Sequence, residues 1–335
     1  MRLDRPQAES LLRRMEGCKV AVLGDVMLDE YLFGEVSRIS PEAPVPIVRV
    51  VREQAVLGGA ANVAANLKAL GAEPLLMGTL QKDAAGDRLL GLLGRLGISI
   101  SGLVLDPSRP TIIKTRVIGQ QQQMLRIDRE ESGPPEAAVL MGLKDRLERA
   151  LGEASALIVS DYAKGTVNEP VMEMVRDLCA ARNLPWIVDP KPAHKTLYRG
   201  ATLMTPNTKE TTELTQRAAK SDAEVAEAGR SLMAELGLKG LLVTRSERGM
   251  ALFAPDGAHT ATPWMVPTEA REVFDVSGAG DTVIAAFSAA VAAGADWREA
   301  AMLANAAAGL VVAKVGTATV TPAELLAHYH EQEAN

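Results

Sequence analysis

Short, unbroken apolar runs alternate along the chain with longer stretches in which apolar residues recur every three or four positions. The runs are KVAVLG (19–24), PLLMGT (74–79), ALIVSD (156–161), PWIVDP (185–190), TLMTP (202–206) and GLLVTR (240–245). Continuous apolar character over so few residues predicts strands covered on both faces. The longer periodic stretches predict helices over about 59–70, 83–96, 135–152, 168–183, 207–216 and 222–236. Gly71 and Gly237 stand where helix C-caps fall. This alternation predicts an α/β chain with a mostly parallel central sheet between helix layers, a three-layer sandwich. In such sheets ligands bind at the carboxyl ends of the strands.

Two segments break the rhythm. YLFGEVSRISPEAPVPIVRVVRE (31–53) and PTIIKTRVIGQQQQMLRIDRE (110–130) are both β-prone. Pro41, Pro44 and Pro46 in the first suit edge strands or extended loops. In IIKTRV apolar and basic residues alternate, which predicts one buried and one presented face. The two segments are expected to form a small β-sheet lid over the main sheet of a single domain, 1–335. An exposed β-edge there invites pairing, hence a homodimer through the lid. QQQQ (120–123) reads as a turn, and HYH (328–330) as the polar side of a last helix.

Bulk properties remove several function classes. A net charge of −6 argues against a nucleic-acid partner. No apolar run reaches the ~18–20 residues of a membrane span, and the N-terminus lacks a signal-peptide core. Cys18 and Cys179 show no metal or disulfide spacing, which suits a reducing cytoplasm. The Walker pattern is absent, and GxGxxG fails where Val283 replaces the third glycine.

The chemistry-bearing candidates lie at predicted strand ends and helix starts. In DVSGAGDT (275–282) a helix starting near Ala279 aims free N–H groups at the space before it, an anion site that Gly278 and Gly280 leave open. Asp281 in its first turn is either a stabilising charge or a proton acceptor. In LGGAANVAANLKALGA (57–72) Gly58 and Gly59 lead into a helix where Asn62 and Asn66 share a face. They either sit in solvent beside close alanine packing or offer an amide to sugar hydroxyls. Asp25 and Asp29 follow the first strand and can accept hydrogen bonds from vicinal hydroxyls. SDYAKG (160–165) and VDPKP (188–192) pair an aspartate with a lysine, so Asp161, Lys164 and Lys191 are candidates, the lysines as point charges for phosphate. Asn207 and Glu210 in TPNTKE, three apart on a helical turn, can hold magnesium through water. TRSERG (244–249) is a polar turn between strands.

Taken in order, GGAANVAANLKALGA, the Asn207/Glu210 element and DVSGAGDT resemble the signatures of the ribokinase (PfkB) family of carbohydrate kinases over nearly the whole chain. GDVMLDEY, SRISPEAPVPIV, SDYAKG and VDPK resemble the branch acting on D-glycero-β-D-manno-heptose 7-phosphate in ADP-heptose and lipopolysaccharide core synthesis. The resemblance implies a ribokinase-like fold with ATP and Mg²⁺, and in several relatives a monovalent cation, here near KVGTATV (314–320). It implies Asp281 as catalytic base and Gly278, Ala279 and Gly280 as the anion hole. It implies Asn207 and Glu210 at the metal and ATP phosphates, Thr244, Gly249, Gly280 and Asn305 near the nucleotide, and Asp25, Gly59 and Asn62 facing the sugar. For the distal phosphate of such a sugar the cationic candidates are Arg38, Lys114, Arg116, Lys164 and Lys191, with Lys164 and Lys191 expected together. Ala60-Ala61 stands where pentose kinases of the family often carry Lys-Gly, which weakens a pentose reading. The chain stops at Asn335, soon after the kinase pattern, which suggests the stand-alone form of an enzyme elsewhere fused to an adenylyltransferase. Another sugar kinase, a nicotinamide oxidoreductase and a silent sugar-phosphate sensor are the competing readings.

Overall fold

All six apolar runs become strands of one sheet. The computed structural model describes residues 3–120, 122–254, 262–270, 272–314 and 316–333. In chain order the elements are α1 (Arg5–Met15), β1 (Lys19–Gly24), β2 (Val26–Ile39), β3 (Pro46–Gly59), α2 (Ala60–Ala69), β4 (Glu73–Leu80), α3 (Ala84–Arg95), β5 (Leu103–Leu105), β6 (Ile112–Gly119), β7 (Gln122–Arg129) and α4 (Ala137–Glu153). They continue with β8 (Ala156–Ser160), α5 (Glu169–Arg182), β9 (Trp186–Asp189), β10 (Leu203–Met204), α6 (Thr208–Thr215), α7 (Asp222–Leu236), β11 (Gly240–Thr244), β12 (Met250–Phe253), β13 (Trp264–Val266), α8 (Ala279–Ala292), α9 (Trp297–Val311) and α10 (Pro322–Glu333).

The large sheet runs β13-β12-β11-β10-β9-β8-β1-β4-β5. Its pairs are parallel from β5 to β11, and β12 and β13 add antiparallel pairs at one edge. Successive residues of a strand point to opposite faces, so β1 serves two cores. Val20 and Val22 pack with residues of α1, α2, α3, α8, α9 and α10. Ala21 and Leu23 pack with residues of α4, α5, α6 and α7. Full burial of one such aliphatic side chain is worth about 1.5–3 kcal/mol. A polar residue anywhere in these strands faces one of two dry layers, which is why the sequence shows solid apolar runs there. Polar residues begin where the strands end, and β1, β8, β9, β10 and β11 all end on one edge with Asp25, Asp161, Asp189, Asn207 and Thr244 at or just beyond them.

The segments that broke the pattern form a separate four-stranded sheet, β3-β2-β6-β7. It is mixed: β2 pairs antiparallel with β3 and parallel with β6, and β6 pairs antiparallel with β7. It is also longer than the pattern suggests, because β2 starts at Val26 and β3 runs on to Gly59. Asp29 therefore belongs to a strand of this sheet and not to a loop at the end of β1. Gly59 turns β3 into α2 at φ 56, ψ −137. A Cβ there would lie 2.3 Å from the Asp25 carbonyl, so the turn admits glycine alone.

Two smaller expectations change. His328 is not on a polar helix face: it is buried, with Nε2 2.8 Å from Glu269 Oε2. Of QQQQ, Gln122 and Gln123 belong to β7, and Gln120 after β6 is left-handed at φ 50. Gln121, and Val315 of KVGTATV, lie outside the described residues. Among the described residues no helix is long and apolar enough to cross a membrane.

Candidate active site

The first turn of α8 faces the polar edge of the large sheet. Its N-cap, Gly278, is left-handed at φ 78, ψ 3, and a Cβ there would sit 2.9 Å from Asn62 Nδ2. Asp281 follows at 5% exposure. Its Oδ2 accepts Asn62 Nδ2 at 2.7 Å and its Oδ1 accepts the Tyr162 hydroxyl at 3.1 Å. Burial pushes its carboxyl up to about 6, with the Asp29 charge adding to the rise and the two hydrogen bonds opposing it. These facts bear on the two roles left open for Asp281. A carboxylate that merely complements a helix start is solvated, or bonds the helix's own N–H groups, and is easily ionised. The Asp281 side chain instead draws both of its partners, Asn62 and Tyr162, from other elements, and burial holds its carboxyl above the ordinary range.

The donors of the helix start are sorted differently from expectation. The Ala279 N–H reaches the Val276 carbonyl at 3.2 Å and is not free for an anion. Among the described residues the Gly280 and Asp281 N–H groups have no acceptor. Gly280 is exposed, and a Cβ there would meet nothing within 4 Å. Asn62 and Asn66 do not face solvent; both are buried between α2 and α8. Asn66 Nδ2 donates to the Asn62 carbonyl at 2.9 Å, and the Thr282 hydroxyl donates to Asn66 Oδ1 at 2.8 Å. That chain of bonds fixes the amide that holds Asp281.

Two cavities meet at Gly280 and Thr244, which line both. The larger, about 350 Å³, is mostly apolar, with Gly249, Met250, Val273, Val276, Val283 and Ala308 among its walls. Val273 and Val276 are more than 60% exposed, so they form an uncovered apolar rim that suits a flat aromatic ring. Asn305 lines this cavity but donates to the Pro267 carbonyl at 2.8 Å, so it tethers the strap that edges the cavity. The smaller, about 130 Å³, is lined by Asp161, Tyr162, Asp189, Lys191, Asn207 and Glu210 among others. Asn207 and Glu210 form a reciprocal capping box at 2.9 Å each way, which fixes the Glu210 carboxyl over the helix start. Burial raises Asp189 and Glu210, and the charges of Asp281 and Glu210 raise Asp189 further against the single opposing charge of Lys191. Among the described residues no three acidic, histidine or cysteine side chains are grouped closely enough to hold a metal ion directly, so these carboxyl groups suit a cation held through water.

The second sheet carries its own cluster of polar candidates. Asp29 and Tyr31 share a face of β2 with Lys114 and Arg116 beside them on β6. Arg116 Nη1 donates to Asp29 Oδ1 at 2.6 Å. Burial disfavours its charge, and the Asp29 carboxylate more than offsets this. The Tyr31 hydroxyl, beside this pair, is buried with no hydrogen-bond partner among the described residues.

A family model described as pfkB family carbohydrate kinase matches residues 18–324. The chain belongs to the pfkB family of carbohydrate kinases. The bifunctional protein HldE of Paramagnetospirillum magneticum is 46% identical over 96% of the chain, which spans 65% of that protein's length. The D-beta-D-heptose 7-phosphate kinase of Bordetella bronchiseptica is 47% identical over 93% of the chain and 96% of its own length. Arabidopsis thaliana ribokinase, solved with ribose and ATP, superposes with a TM-score of 0.77 at 22% identity over 94% of this chain and 99% of its own, which shows the ribokinase-like fold.

This pfkB kinase brings most of the sequence candidates to one cleft and leaves some out. Asp161, Lys191, Asn207, Glu210, Thr244, Gly249, Ala279, Gly280 and Asn305 line the two cavities, Asn62 holds Asp281 directly after Gly280, and Asp29 and Arg116 pair with each other on the second sheet. Asp25 does not face a ligand: it is fully buried, with Oδ2 accepting the N–H groups of Tyr162 and Lys164 and Oδ1 that of Thr166, each at 3.0 Å. It fastens the loop after β8. Asp161 is likewise engaged, by the Tyr198 hydroxyl at 2.6 Å, His194 Nδ1 at 2.7 Å and the Ala163 N–H at 2.7 Å. Arg38 is exposed near the far end of β2, nine residues beyond Asp29. Lys164 and Lys191 are not a pair: Lys191 lines the acidic cavity, whereas Lys164 binds Glu130 at 2.6 Å. Tyr162 and Tyr31 escaped the sequence reading, although each stands one or two residues from a chosen one, and Asp189 was noted only as the aspartate before Lys191.

Proposed function

We propose that the chain transfers the γ-phosphoryl group of ATP to the C1 hydroxyl of D-glycero-β-D-manno-heptose 7-phosphate, giving ADP and heptose 1,7-bisphosphate, a step toward ADP-heptose. The observation that carries the reading is Gly280: it joins an apolar cavity to an acidic one and directly precedes a buried, near-neutral carboxyl. A base lies in the first cavity and its phosphates pass over Gly280, where the Gly280 and Asp281 N–H groups and the helix dipole oppose the developing charge. Asp281 takes the proton of the attacking hydroxyl. Asn62 and Tyr162 hold its two oxygens, so its free lone pairs point at the acceptor. Lys191 offsets phosphate charge, while Asp29 and Arg116 receive sugar hydroxyls. Bound Mg²⁺ supplies further neutralisation of the phosphates, and Glu210, Asn207 and Asp189 are the groups that would hold it, through water. The relatives' names support the substrate, and the Lys114 charge beside Asp29, with Lys164 meeting it at Glu130, supports a phosphorylated one.

A coupled assay for ADP release with heptose 7-phosphate, ribose and fructose 6-phosphate tests this reading. The expected kcat/KM for heptose 7-phosphate exceeds the others by about 10³-fold or more, the scale on which a site built around a polar group rejects analogues lacking it. Equal or better turnover of ribose would place the chain with another substrate.

The same reading has two copies pair through the second sheet. Its strands expose Ile39, Val50, Val51, Met124, Leu125 and Ile127, an apolar surface that solvent does not favour. Sedimentation at micromolar concentration is expected to give a dimer that Val51→Lys with Leu125→Lys dissociates; a wild-type monomer sinks this assembly.

A further inference from the structure

Lys114 and Lys164 come from separate parts of the fold and meet at one carboxylate. Lys114 lies on β6, directly across from Asp29 on β2. Lys164 lies in the loop after β8, the loop whose Tyr162 hydroxyl donates to Asp281. Glu130, just past β7, takes Lys164 Nζ on Oε1 at 2.6 Å and Lys114 Nζ on Oε2 at 3.1 Å. The three side chains are between 13% and 21% exposed. Burial pushes Glu130 up, yet the two lysines outweigh it and hold the carboxyl below its usual range. The other acid near Lys114 is Asp128 at 3.5 Å, and Arg126 already engages it with two bonds of 2.9 Å.

Two ammonium groups closing on the two oxygens of a carboxylate make an anion site of phosphate size and charge. The site lies one strand from Asp29 and one loop from Asp281, at the far end of a sugar whose reacting hydroxyl meets Asp281. We propose that Glu130 is an internal placeholder. In the empty enzyme it fills the subsite for the sugar's distal phosphate, and the incoming phosphate displaces it. β7 is the edge strand of its sheet, so the freed carboxylate has solvent to swing into. The site keeps its shape during the exchange because other bonds hold its backbone. Asp25 accepts the Lys164 N–H at 3.0 Å. Arg109, anchored by Asp106 at 2.7 Å, donates to the carbonyls of Lys164 at 3.1 Å and Gly133 at 2.6 Å. A phosphate ester brings hydroxyl contacts that help it displace Glu130, and free inorganic phosphate does not. Glu130 thus selects sugar phosphates against free phosphate.

The inference rests on the substrate reading above only for the sugar, so inorganic phosphate serves as an independent probe. Wild type, Glu130→Gln and Lys164→Met are titrated with inorganic phosphate by calorimetry and assayed with heptose 7-phosphate. Glu130→Gln is expected to bind phosphate about 5-fold more tightly, the scale of removing one partly buried competing charge. Its KM for the sugar phosphate falls by a similar factor, with little change in the KM for ATP. Lys164→Met weakens phosphate binding roughly tenfold, as loss of a charge-assisted bond does. Loss of a purely structural contact does not tighten an anion site. Unchanged or weaker phosphate binding in Glu130→Gln overturns the proposal, as does wild-type phosphate binding in Lys164→Met. If heptose 7-phosphate is no substrate of the wild type and Glu130→Gln still gains affinity for phosphate, the placeholder stands and the substrate reading falls.

Discussion

Asp281→Asn lowers kcat by about 10³-fold while ATP binds as it does to wild type, the scale expected when a positioned general base is removed. The substitution keeps the size of the side chain, removes its capacity to take a proton and turns one accepting oxygen into an amide donor, for which the Tyr162 hydroxyl can serve as acceptor. Stability is not the confounding factor. The folded carboxyl titrates near 6, above its ordinary 3.8, so folding favours the protonated form. Its contribution to stability is lost as pH rises from 3.8 to 6, and above that the ionised group is a burden that the amide does not carry. At pH 8 the variant is therefore expected to melt no lower than wild type on this account. The same titration gives wild-type kcat/KM an acid limb: activity falls about tenfold per unit below pH 6 and levels off above it. Asn62→Ala removes a donor that favours the charged form, so it moves that limb to higher pH. Steady-state kinetics across pH 5–9 read all three outcomes, and wild-type kcat in Asp281→Asn would falsify the base assignment.

Gly280→Ala is expected to fold as wild type does and to lose about 10²-fold in kcat/KM, the scale of disturbing one oxyanion-type donor. A methyl group at this position meets no protein atom within 4 Å. Within the first turn of a helix, alanine in place of glycine adds slightly to stability. The space it fills is the junction of the two cavities, over the N–H groups that have no acceptor within the protein. An unchanged melting temperature with lost activity marks that space as the path of the phosphoryl group. Unaltered kinetics would move the transfer site elsewhere. Gly278 is unsuited to the same test, because its φ of 78 and its contact with Asn62 make any side chain a folding defect.

How far the sequence was legible varies with the range of the interactions involved. Six of the nine strands of the large sheet and the six helices between them appear in the chain because burial on two faces demands solid apolar runs, and burial on one demands a helical period. The strand-end location of polar residues follows from the same rule. Asn207 and Glu210 were readable as a pair because a capping box spans only three residues, and the glycines of DVSGAGDT because a helix start is local. What Asp25 and Asp29 do was not legible. Both follow the first strand, but which one is enclosed depends on whether the loop after β8 folds over it, some 137 residues away. Lys164 and Lys191 look alike in sequence, each following a strand-end aspartate. Their separation is set by Glu130 on one side and by the acidic cavity on the other. By itself the sequence determined the layered α/β architecture, the anion-binding helix start and the residues available at the strand ends, since each follows from spacing within a few turns or strand residues. Only the tertiary structure decided that Asp281 is buried between Asn62 and Tyr162 and so titrates near neutrality, because desolvation and long-range hydrogen bonds arise from elements that are neighbours in space and not along the chain.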